Sequence, residues 1–169
     1  SVDFSKCKIS EIPKGCFCNC KQLVNIHFSA FTKIIGESAF EWCESIETLD
    51  LPESLEEIKE EAFCMESFFD EHVSKLENIY FPNKIKSIGS KSFNKLVNLQ
   101  SITLSSDIDI IGDEAFKDCC NLSIVNYKTI KSIGKASFSG CNLNLTITDG
   151  IKGIAVGALN GCTIIATES

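Results

Sequence analysis
Cysteine and histidine are the residues here with the most chemistry to offer. The chain carries ten cysteines in 169 residues, and Cys16, Cys18 and Cys20 form a CxCxC run that could hold zinc as thiolates. A zinc site needs about four ligands, and no second cysteine or histidine pair at ligand spacing completes this one, so no metal is expected. Disulfides are the second option, but the cysteine content is below the level that marks a disulfide-stapled scaffold. His27 and Asp50 could act as an acid–base pair if adjacent strands bring them together. No serine, cysteine or glycine-rich motif gives that pair a nucleophile or an oxyanion hole to serve. The chain is therefore read as non-enzymatic and without a cofactor, and the cysteines must be judged by the elements that carry them.

Those elements repeat. Phe17, Phe40, Phe63, Phe93, Phe116 and Phe138, with Leu159 in the same role, follow one another at intervals of 23, 23, 30, 23, 22 and 21 residues. An isoleucine five places earlier keeps step: Ile12, Ile35, Ile58, Ile88, Ile111, Ile133 and Ile154. A small residue precedes each aromatic, and downstream come apolar pairs one residue apart, such as Ile26/Phe28, Leu49/Leu51, Ile79/Phe81 and Ile102/Leu104. Such a pair puts two side chains on one face of a short strand. Three residues before five of the marker isoleucines, Leu55, Ile85, Ile108, Ile130 and Ile151 turn the chain inward again. Gly36, Gly89, Gly112 and Gly134 then open a segment whose first turn is rich in acidic residues, which predicts one to two helical turns. These glycines recur in four of the seven units and follow no phosphate-loop spacing. A unit of about 23 residues with five or six apolar side chains cannot bury them alone, so the units must stack into a solenoid.

The stretches "LDLPESLEEIKEEAF" (49–63) and "LQSITLSSDIDIIGDEAFKDCCNL" (99–122) resemble the BspA-like, or Treponema-type, leucine-rich repeat, and the resemblance runs over essentially the whole chain. It implies an α/β leucine-rich-repeat solenoid, a right-handed coil with a parallel β-sheet on its concave face and short helical turns on the convex side. It also implies binding or adhesion, because members are often surface or secreted proteins. Residues 1–169 are read as one such domain of about seven repeats, with a longer unit carrying an insertion at 64–76. The terminal units are uncapped, so further repeats or a partner are expected to continue the array. Oligomeric state is left open.

Within the repeat, Cys20, Cys43, Cys119, Cys141 and Cys162 share one slot, three residues after the marker. A small buried thiol suits that slot; bridges between neighbouring coils are sterically allowed. The net charge of −7, with sixteen lysines and no arginine, argues against nucleic acid. No apolar run is long enough to insert in a membrane. No signal peptide opens the chain, which starts at Ser1, as expected of a processed protein or an excerpt from a longer one.

Two faces remain for a ligand. The outward strand positions His27, Asp50, Tyr80, Thr103, Asn126 and Thr146 make a hydrogen-bonding row on the concave sheet, suited to a protein or glycan or simply solvated. Trp42, Met65, Phe68 and Phe69 could form a convex patch, or the insertion could pack over Trp42. The sequence thus predicts a non-catalytic interaction or adhesion module at the cell surface or secreted. The alternative is an intracellular, cytoplasmic scaffold that organises other proteins, and a recognition segment attached to a catalytic domain is the more remote reading. Sequons at Asn121 and Asn144 matter only on an exported chain.

Overall fold
A computed structural model describes residues 1–66, 73–147 and 151–166, and for 105–107, 124, 126–129, 145–147 and 165–166 the backbone alone. Its strands are β1 (Val2–Asp3), β2 (Glu11–Ile12), β3 (Ile26–His27), β4 (Ile34–Ile35), β5 (Glu57–Ile58) and β6 (Asn78–Phe81). They continue with β7 (Ser87–Ile88), β8 (Ser101–Ile111), β9 (Ile124–Ile133), β10 (Asn144–Ile147), β11 (Gly153–Ile154) and β12 (Thr163–Ala166). Strands β2, β4, β5, β7, β8, β9 and β11 pair in that order, all parallel, and the marker isoleucines are Cα partners from Ile12 through Ile154. A parallel sheet with identical residues in register is what stacked coils that repeat one residue pattern must produce. The chain is a parallel β-solenoid.

The apolar pairs build the other strand set: β1 beside β3, β6 beside the first half of β8, that half beside β9, and β10 beside β12. Between the two sets, Leu55, Ile85, Ile108 and Ile130 are completely buried, together with the marker isoleucines from Ile12 to Ile133. The core is a single column. Its spine is a ladder of phenylalanine rings: Phe17, Phe40, Phe63, Phe93, Phe116 and Phe138 stack at centroid distances of 5.2 to 5.4 Å with interplanar angles of at most 9°. Phe28 and Phe81 meet this ladder edge-on. Each fully buried ring contributes about 1.5–3 kcal/mol from area alone and stacked pairs about 0.5–1.5 more.

The helical turns expected around the Ala-Phe pair are absent: the described residues contain no helix. Two residues before and after most of the markers the backbone is left-handed, at Gly15 and Asn19, Ser38 and Trp42, Lys91 and Lys95, Glu114 and Asp118, Ala136 and Gly140. This alternation aims every second amide at the next coil instead of back along its own turn. Phe17 N donates to Ala39 O, Phe40 N to Ala62 O, Phe63 N to Ser92 O and Phe93 N to Ala115 O, all within 2.7–2.8 Å. The intervening amides close tight turns, as Ala39 N does to Gly36 O. Stacking thus captures hydrogen bonds that a helix would keep to itself, and the acidic residues of the segment do not mark a helix start.

The recurrent glycines have a different task from the one expected. A Cβ on Gly36 would stand 2.6 Å from Ile12 O, and one on Gly112 2.5 Å from Ser90 N. At these positions the preceding coil leaves no room for a side chain, although Pro13, Lys59 and Ala155 fill the equivalent slot of other coils.

Candidate functional site
The outward row is only partly assembled. Tyr80 is the Cα partner of Thr103, and Thr103 of Asn126, so these three stand side by side across β6, β8 and β9. Tyr80 is 69% exposed. His27 lies outside that ladder, on β3 next to Asp3 of β1. Asp50 sits on irregular backbone, because Thr48–Leu51 forms no strand. Thr146 belongs to β10, which pairs with β12 and not with β9. The side chains of Asn126 and Thr146 lie outside the described residues. His27 and Asp50 therefore share no strand pairing.

Where the strand is missing, a cleft of about 650 Å³ opens between Glu47–Asp50 and Glu77–Tyr80, with Lys75 and Asn98 at its rim. Lys75 Nζ reaches Glu47 Oε1 at 3.1 Å, and Asn98 Nδ2 donates to Ser74 O at 2.9 Å. Glu47, Lys75, Glu77 and Asn98 carry no motif, so inspection of residue types misses them. The one available signal is the 30-residue interval between Phe63 and Phe93, which shows that this coil cannot track its predecessor throughout.

The cysteines divide by position in the stack. Cys43, Cys119, Cys141 and Cys162 each donate Sγ–H to the marker carbonyl of the preceding coil, at Phe17, Phe93, Phe116 and Phe138, over 3.1 to 3.4 Å. Burial pushes the Cys43, Cys64 and Cys141 thiols up to about 12 and the Cys119 thiol well above its ordinary value. They are structural thiols, protonated and unreactive at neutral pH. Cys20 occupies the same slot but is exposed, contrary to expectation. Cys7, Cys16 and Cys120 are exposed too, and none of the ten cysteines is bridged. Cys18 is half-buried, with Sγ 3.7 Å from Glu41 Oε2. Among the described residues no group of three His, Cys, Asp or Glu side chains is placed to hold a metal ion.

Comparison with known proteins decides the family. The profile described as the BspA type leucine rich repeat region matches in six copies, over residues 1–71 and 66–166. The chain belongs to the BspA-type leucine-rich-repeat family. Among solved structures, this BspA-type chain is similar to a leucine-rich repeat protein from Bacteroides ovatus, at 23% identity and a TM-score of 0.58 over 85% of this chain and 42% of that one. It is also similar to the leucine-rich repeat protein of T. pallidum, at 21% identity and a TM-score of 0.53 over 78% of this chain and 70% of that one. A leucine-rich cell surface protein from Faecalibacterium prausnitzii follows at 18% identity and a TM-score of 0.49, over 90% and 55% of the two chains. The BspA-type chain thus spans about two fifths of the first of these structures. No curated protein sequence matches it.

Family membership points to a protein-interaction module. On this repeat chain the expected turn-side patch does not include Met65. Met65 is buried, Trp42 is half-buried with Nε1–H donated to Glu66 O at 3.1 Å, and Phe68 and Phe69 lie outside the described residues. Met65 belongs to the core, so any surface built around Trp42 is made without it. Among the described residues no helix is long and apolar enough to cross a membrane.

Proposed function
We propose that this chain is a non-catalytic recognition module that docks a protein or glycan ligand on the face carrying Tyr80, Thr103 and Asn126, in an adhesive role at the cell surface or in a secreted protein. The observation behind it is the in-register row of β6, β8 and β9 with Tyr80 standing 69% exposed at its edge. A large aromatic with a polar tip, held on a rigid strand beside hydrogen-bonding neighbours, is the kind of anchor around which interfaces form. Placement outside the cell follows the resemblance to surface and secreted repeat proteins, and the sequon residues Asn121 and Asn144 are both exposed.

Arrays of glycans and purified surface proteins, probed with the parent chain, Tyr80→Ala and Thr103→Lys, test the face. Capture by the parent that falls at least about tenfold, or about 1.4 kcal/mol, in both variants supports it; capture unchanged in both removes it. A second reading, an intracellular scaffold, draws support from surface-exposed thiols such as Cys120, since exposed thiols persist in reducing compartments. Thiol titration of the native protein purified without reductant separates the two: ten titratable thiols favour the scaffold, oxidised or glycosylated material the exterior.

A further inference from the structure
The same two coils that part at Thr48–Asp50 are bonded to each other on either side of the gap. Lys75 N donates to Glu44 O at 3.2 Å at one end, and Lys86 N to Glu56 O at 2.8 Å at the other. Between these clasps Thr48–Leu51 forms no strand, and β6 pairs with β8 alone among the described strands. Among the described residues, no strand pairs with the other edge of β6, and the cleft lies along it. A strand element occupies about 3.3 Å along the chain, about 4.8 Å between strands and about 10 Å through the sheet. At that size the 650 Å³ cleft accommodates roughly four residues of extended chain.

The lining states what such a segment should look like. Lys75 is already matched by Glu47, whereas Asp50 and Glu77, which also line the cleft, form no ion pair with a lysine among the described residues. Tyr80 lines the same cleft, and a phenol ring is a surface that attracts ammonium and guanidinium groups. Inward, Leu49 at the cleft wall and Ile79 of β6 are buried apolar neighbours. Side chains of an extended segment alternate between faces, so the inward residue would be apolar and those on either side of it basic.

We propose that the cleft between Asp50 and β6 receives an extended peptide segment of basic–apolar–basic pattern, added as a strand to the free edge of Asn78–Tyr80. This rests on the recognition-module reading and narrows it to one ligand class at one coil. Main-chain bonds to β6 supply sequence-tolerant affinity, and Asp50, Glu77 and Tyr80 select for positive charge.

The test uses the full chain in an amide NMR titration with three probes: acetyl-Thr-Lys-Val-Lys-Thr-amide, its Glu-Val-Glu counterpart, and the Lys peptide methylated on its central backbone nitrogens. Expected are shifts at Asn78–Tyr80 and Thr48–Asp50 with the Lys peptide, at least about tenfold weaker binding of the other two, and a similar loss in Asp50→Asn/Glu77→Gln. Both substitutions are exposed and near isosteric, and an unchanged parent spectrum in the rest of the chain shows that the variant folds. Equal binding of the acidic or the methylated peptide overturns the proposal, as does the absence of any shift at about 5 mM peptide. Shifts confined to Thr103 and its neighbours on β8 overturn the cleft while leaving the row intact as a docking face. Loss of the row itself is read separately, on the arrays with Thr103→Lys.

Discussion
Phe93 is the ring whose removal most directly tests the single stacked core. It is completely buried, stacked on Phe63 at 5.2 Å and on Phe116 at 5.3 Å, and met edge-on by Phe81 at 5.6 Å. Phe93→Ala should cost about 3–5 kcal/mol, the range for truncating a buried ring into a site that cannot collapse. Phe17 supplies the comparison. It stacks on Phe40 alone, touches Phe4 at a tilt and is half-buried, so Phe17→Ala should cost about half of a full ring burial, roughly 1–2 kcal/mol. With a urea slope of about 2 kcal/mol per molar, the midpoints should fall by roughly 2 M and under 1 M respectively. Coils contact only their neighbours, so the Phe93 variant should also decouple its two halves. The lone Trp42, in the coil of Phe40, would then report by fluorescence a transition that no longer coincides with far-ultraviolet circular dichroism. Equal midpoint losses for the two variants, or an unshifted single transition for Phe93→Ala, would refute the continuous ladder.

Ala136 has φ of 52°, so Ala136→Gly should raise stability: relief of about 1–2 kcal/mol of left-handed strain exceeds the 0.5–1 kcal/mol of added unfolded-chain entropy. A melting temperature that falls would restore the helical reading. Gly112→Ala should cost about 1–3 kcal/mol through the 2.5 Å clash with Ser90 N, whereas Gly153→Ala, with nothing nearer than Ser132 Oγ at 3.6 Å, should be neutral or gain up to about 1 kcal/mol. Melting curves for the pair check this. Native labelling at pH 8 should modify Cys7, Cys16, Cys20 and Cys120 quickly and leave Cys43, Cys64, Cys119 and Cys141 untouched until the chain unfolds. Because burial raises the folded-state thiol values from 9.0 toward about 12 at Cys43 and Cys141, their contribution is full below pH 9 and lost as pH rises through that window. Cys43→Ala/Cys141→Ala should flatten the alkaline fall in urea midpoint relative to the parent.

What was legible in the sequence, and what was not, separates along a physical line. Strand register and core could be read because a parallel coil places residue i above residue i plus one repeat; the drifting interval between Ile12 and Ile154 carried that information, and the paired marker isoleucines match it position for position. The turn conformation is not legible because Glu37, Glu60, Glu61, Asp113 and Glu114 imitate a helix start. The contrary signal was fainter: Gly15 and Gly157 stand two residues before their markers, and Gly140 and Gly161 two after, at the left-handed positions. The site was legible only where both neighbouring coils exist and keep step. Tyr80 and Thr103 come together because β6 and β8 do, while Asp50 does not join them because its coil precedes the 30-residue unit and lies across the gap. Cys20 and Cys43 show the same dependence: one slot, one residue type, yet one thiol exposed and the other bonded to Phe17 O. In a stacked fold, therefore, the repeat dictates which way a side chain points, and the adjoining coil dictates whether it is covered. The proposed peptide site lies where that cover is withheld among the described residues, at Asp50 and the edge of β6 that no described strand pairs.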